Sequence, residues 1–77
     1  MNIPIENYRD DVVRLGQQLR DARMSKKMTM RQVAEQLGID EATVSKIENG
    51  KWNASIAFYA SMANALGLQV NITTPIQ

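Results

Sequence analysis

Residues 29–51 read TMRQVAEQLGIDEATVSKIENGK. Thr29 and Gln32 have the spacing of a capping box, in which hydroxyl and amide satisfy each other's free backbone donors, so a helix begins at Met30. Val33, Ala34 and Leu37 give this helix an apolar stripe. Gly38 stands where a left-handed residue ends a helix without a side-chain penalty. Asp40 then caps the next helix, its carboxylate favoured by the positive end of the helix dipole. Val44 and Ile47 face inward along it, and Gly50 closes its C-terminal end. Two short helices thus meet across Gly38 and Ile39.

Toward the N-terminus, Val12, Leu15, Leu19 and Ala22 recur at three- and four-residue intervals, with Met24 added at the end of the stripe, while Arg9, Arg14, Arg20 and Asp21 fall elsewhere. That pattern predicts a helix over residues 7–24. Residues 2–5 read as extended, because Pro4 biases Ile3 away from helix. Toward the C-terminus, Trp52, Asn53 and Ala54 form a connector and Ser55 caps a further helix. Ile56, Tyr59, Ala60, Met62, Ala63 and Leu66 make its broad apolar face, with Phe58 off that stripe and Gly67 as its stop. Beyond Gly67 the period changes to two, as Leu68, Val70 and Ile72 alternate with Gln69 and Asn71. This is the pattern of a short half-buried strand. A lone strand leaves its backbone groups unpaired, so the simplest partner is its own copy across a two-fold axis; pairing with residues 2–5 is the alternative.

Seventy-seven residues make one small domain whose monomer core is marginal, which favours dimerisation. Without cysteine there are no disulfides, and without histidine the usual general base and the commonest metal ligand are missing. No paired-carboxylate or glycine-rich phosphate motif replaces them. The chain therefore reads as a non-enzyme with no cofactor and no metal. No apolar run approaches the roughly 20 residues of a membrane helix, and with no signal peptide the expected place is the cytoplasm. The net charge is only +1, yet its distribution is uneven. Between Arg14 and Arg31 lie Arg14, Arg20, Arg23, Lys26, Lys27 and Arg31 against the single acid Asp21, whereas residues 52–77 carry no charged side chain. The first segment suits phosphate, and the second suits a core with a self-association face.

Leu15, Leu19, Arg20 and Arg23, then Met28-Thr29, Val33-Ala34, Leu37-Gly38, the run Thr43 through Lys51, and Ala63 with Ala65-Leu66-Gly67 together resemble the lambda-repressor-like, Xre/Cro-type helix-turn-helix family. The string VSKIENGK, residues 44–51, is the most diagnostic part. The resemblance implies a mainly α, four- to five-helix DNA-binding domain over residues 1–77. Its helix-turn-helix core would be residues 29–49, and its dimerisation region about residues 52–77 would carry the short C-terminal strand. Helix 40–49 would enter a major groove about 12 Å wide.

On that resemblance Glu41, Ala42, Ser45 and Lys46 touch base edges. Lys46 can donate to guanine acceptors, Ala42 can pack on a thymine methyl, and Glu41 can accept from the cytosine amine. Lys27, Thr29, Arg31, Thr43, Asn49 and Lys51 would hold phosphates, contacts that set register rather than sequence. Glu48 would pair with Arg23 and tie the first helix to the third. Phe58, Leu68, Val70 and Ile72 would form the dimer interface. Duller roles compete: Asp40 is better read as a cap than as a base reader, Glu41 serves either a base or the helix dipole, and Lys46 is either a DNA contact or a solvated lysine. Met30 departs from the family, which often has glutamine there, and Lys27 replaces a frequent turn glycine. Trp52 fits a loop wedge, a dimer residue or a protein anchor equally well.

The function expected is sequence-specific binding of double-stranded DNA as a homodimer, regulating transcription, as a repressor by promoter occlusion at an inverted repeat. An antitoxin that autoregulates its operon and binds a toxin protein is the alternative. A protein-interaction module without DNA binding is the reading from another class. A restriction-modification controller also falls within the first reading, although a terminal strand would count against it.

Overall fold

The computed structural model describes residues 8–51 and 55–71. Among them are four helices, α1 (Tyr8–Ser25), α2 (Met30–Leu37), α3 (Glu41–Glu48) and α4 (Ile56–Ala65). The helix starts follow their capping residues. Thr29 Oγ1 accepts the Gln32 N–H at 3.0 Å while Gln32 Oε1 accepts the Thr29 N–H at 2.8 Å. Asp40 Oδ1 accepts the Thr43 N–H at 2.8 Å, and Ser55 Oγ accepts the Phe58 N–H at 3.3 Å. Each such cap contributes on the order of 1 kcal/mol, a large share for helices as short as α2 and α3.

All four helices also end alike. One residue turns left-handed, and two N–H groups fold back onto the last turn. At α2 the donors are Gly38 to Glu35 O at 3.4 Å and Ile39 to Ala34 O at 3.0 Å; at α1 they are Lys27 to Met24 O at 2.9 Å and Met28 to Arg23 O at 3.1 Å. The left-handed residue is a glycine after α2, α3 and α4, but after α1 it is Lys27 at φ 56°. A side chain in that region costs about 1–2 kcal/mol. Lys27→Gly is therefore expected to raise stability by roughly 0.5–1 kcal/mol, the gain reduced by the greater freedom of the unfolded glycine chain. Urea unfolding checks this, and an unchanged midpoint would show that the turn holds lysine without strain.

The core is built from Leu19 of α1, Val33 and Ala34 of α2, Val44 and Ile47 of α3, and Tyr59, Met62, Ala63 and Leu66 at α4 and its end. Leu15, Ala22, Met28, Met30, Leu37, Ile39, Phe58 and Val70 pack around it, half-buried. Contacts run from α2 to both α3 and α4, and from α1 to α3. The helix-turn-helix pair is thus held from both sides. No helix among the described residues is long and apolar enough to cross a membrane.

Three expectations need correction. Ile56 is 63% exposed, because the first turn of α4 overhangs the core. Phe58 lies four residues before the buried Met62, so it shares that face and packs against the core instead of standing apart from the stripe. Met24, placed in the α1 stripe by periodicity, is 54% exposed. The terminal strand is not formed within residues 68–71. The Leu68 N–H donates to Ala63 O at 2.8 Å, so the first residue of that segment closes α4, and Val70 folds half-buried against the core. Ile72, residues 2–5 and Trp52 lie outside the described residues.

Candidate nucleic-acid interface

α3 has two faces with different work. Val44, Ile47 and Glu48 are buried against the other helices, while Glu41, Ala42 and Lys46 stand exposed and Ser45 half-exposed. Ala42 and Lys46, four residues apart, share the outward face, while Glu41 and the half-exposed Ser45 line the flank next to the buried Val44 and Glu48. Asp40 serves as the cap: the Thr43 hydroxyl and N–H both donate to its carboxylate and hold it below the usual carboxylate range. Thr43, expected at a phosphate, thus already gives its hydroxyl proton to Asp40. It can donate to a phosphate only by turning away from the cap.

The other expected phosphate contacts occupy the ends of the same two helices. Thr29 caps α2 from an exposed position, and its hydroxyl accepts one hydrogen bond while keeping a proton to donate. Lys27 and Lys51 are exposed in the turns after α1 and α3. Arg31 is exposed on α2, its Nε 3.4 Å from Glu35 Oε1, a surface pair that solvent screens. Asn49 uses its side-chain amide to cap α3, donating to Ser45 O at 2.8 Å and Ser45 Oγ at 3.3 Å. Lys26 is turned elsewhere. Its Nζ lies 3.1 Å from where a methyl on Gly67 would sit, beside the C-terminal end of α4, where a cation is favoured by the dipole.

What aims α3 is a pair of contacts with α1. Arg23 Nε donates to Glu48 Oε2 at 2.7 Å and Nη2 to Oε1 at 3.0 Å, a two-pronged bridge between buried side chains. The Glu48 hydrogen bonds raise the Arg23 pKa, with burial opposing. Arg23 Nη1 also donates to Met28 O at 2.9 Å, so the same guanidinium fixes the turn leading into α2. One turn-pair earlier on α1, Gly16 is buried where the helix crosses the end of α3. A methyl group there would lie 2.3 Å from Ile47 O and 2.9 Å from Glu48 O. In the sequence Gly16 carries a single signal, a glycine inside an amphipathic helical pattern, which often marks close packing.

A short capped helix that buries one face, exposes a polar face and is braced by two others is the arrangement of the lambda-repressor-like, Xre/Cro-type helix-turn-helix domain. Residues 14–71 match the family described as helix-turn-helix domain, and the chain belongs to it, a family of DNA-binding modules and not of enzymes. The uncharacterized HTH-type transcriptional regulator RghRB of Bacillus subtilis (strain 168) is 58% identical over 36 residues, 47% of this chain and 26% of that protein. The immunity repressor protein of Bacillus phage phi105 is 32% identical over 57 residues, 74% of this chain and 40% of that protein. The chain thus spans well under half the length of these curated relatives. Among solved structures, the restriction-modification controller protein C.AhdI of Aeromonas hydrophila superposes with a TM-score of 0.71 at 32% identity, covering 78% of this chain and 91% of that one.

Proposed function

We propose that the chain is a transcriptional repressor that binds an inverted-repeat operator as a homodimer, one α3 in each of two successive major grooves about 34 Å apart. The observation that carries this reading is the outward pair Ala42 and Lys46, flanked by Glu41 and Ser45, on a helix whose other face is locked into the core. Lys27, Arg31, Thr29, Asn49 and Lys51 would hold the phosphates on either side, with Thr43 joining them once it leaves Asp40. The second copy would meet the uncharged C-terminal part of the chain, where Leu68 is 38% exposed. Pairing of residues 68–72 between copies belongs to this proposal.

Selection of bound duplexes from a random pool at near-physiological salt tests it. The expected product is an inverted repeat with half-sites one helical turn apart, and Lys46→Ala is expected to relax one base step in each half-site at a cost of roughly 1–3 kcal/mol. A pool with no enriched sequence would overturn the reading in favour of a protein-binding role.

A controller of restriction-modification genes is a second reading, favoured because this chain matches nearly the whole length of C.AhdI and forms no strand among the described residues. An operator found upstream of such genes would select it.

A further inference from the structure

Asn49 is followed by Gly50, and each of the other asparagines, Asn2, Asn7, Asn53, Asn64 and Asn71, is followed by a larger residue. An Asn-Gly pair is chemically the most reactive of these. The Gly50 amide nitrogen, with no side chain beside it, can attack Asn49 Cγ to form a five-membered succinimide. The new C–N bond forms as the Cγ–Nδ2 bond breaks, and Nδ2 leaves as ammonia, taking up the equivalent of the proton that the Gly50 nitrogen gives up. Water then opens the ring to aspartate or isoaspartate.

The folded end of α3 opposes this reaction in three ways. Asn49 is held at φ −93°, ψ 3°, a helical ψ that turns the Gly50 nitrogen away from Cγ. The Gly50 N–H is engaged with Ile47 O at 3.1 Å. The Asn49 amide that must leave is itself bonded to Ser45 O and Ser45 Oγ. All three constraints are lost together when the last turn of α3 unwinds. Asn49 is exposed and Gly50 half-exposed, so water reaches the site.

We propose that Asn49–Gly50 is a deamidation site that inactivates the free protein and is shielded while the operator is bound; this rests on the DNA-binding reading above. The acid product loses the amide donor that caps α3. It also sets a negative charge at the negative end of the helix dipole, beside the expected phosphate path. Bound phosphate holds the last turn closed, so opening, and with it the chemistry, is suppressed by mass action.

The experiment incubates the full chain at mildly alkaline pH with and without saturating selected operator duplex, and follows acid at position 49 by peptide mass and isoaspartate assay. Expected are conversion at Asn49 ahead of every other asparagine, at least about tenfold slower with operator present, and operator binding that decays in step with conversion in the free sample. Asn49→Gln, whose longer side chain disfavours the ring, starts from its own, weaker binding and loses no further binding over the same period. Asn49→Asp binds about tenfold or more weakly, the size of one lost hydrogen bond to a charged group. Equal rates with and without operator, or no acid at position 49 while the unfolded chain converts, would overturn the proposal. Operator binding at time zero tests the DNA-binding reading on its own readout, independent of the yield of acid.

Discussion

Gly16→Ala is expected to destabilise the domain by roughly 2–4 kcal/mol, against a total that for small domains is typically about 5–15 kcal/mol. Helix propensity alone points the other way, since alanine in a helix interior gains about 1 kcal/mol over glycine. The contact decides. The added methyl would meet Ile47 O at 2.3 Å and Glu48 O at 2.9 Å, both backbone atoms that no rotamer change can move. α1 and the end of α3 must separate, which also strains the Arg23–Glu48 bridge beside them. Denaturant unfolding measures the loss. A variant more stable than its parent would show that propensity outweighs packing here, and that α1 can shift without penalty.

Glu48→Ala is expected to cost about 3–5 kcal/mol, because it leaves the Arg23 guanidinium buried without its carboxylate. The Glu48 side chain is 1% exposed and that of Arg23 11%, so water offers little replacement for the lost partner. Replacing both, as Arg23→Met with Glu48→Leu, is expected to recover most of the loss, since a buried ion pair and a well-packed apolar pair differ little in net stability. The double variant still forfeits the hydrogen bond from Arg23 to Met28 O, on the order of 1 kcal/mol. A double-mutant cycle gives the coupling directly. Single variants that each lose less than about 1 kcal/mol would show a solvent-screened surface pair instead of a buried one. The pair and Gly16 together set where α3 points, so both families of variants should lose operator binding in proportion to stability, whereas Lys46→Ala should lose binding alone.

Much of the helix-turn-helix was legible because its signals are local. Thr29 and Gln32, Asp40, Ser55, Gly38, Gly50 and Gly67 each act on backbone groups within a few residues, so spacing alone located the caps and stops of α2, α3 and α4. The outward face of α3 followed from the same logic: once Val44 and Ile47 are inward, the helical period leaves Ala42 and Lys46 outside, and Glu41 is exposed on the flank of the first turn. The pairing of Arg23 with Glu48 spans 25 residues and was reached through family resemblance, since no local pattern links them. Tertiary structure alone decided the rest. Whether Ile56 is covered depends on how far α4 extends past its neighbours, and whether Gly16 can bear a methyl depends on two carbonyls more than thirty residues away. The alternation after Gly67 records apolar spacing and not where an N–H goes: within residues 68–71 the Leu68 N–H goes to Ala63 O and Val70 packs on its own core, and pairing of this segment between copies stays part of the proposed dimer. Capping and periodicity are properties of neighbours in the chain, whereas close approach and burial are properties of neighbours in space, and only the folded backbone determines those.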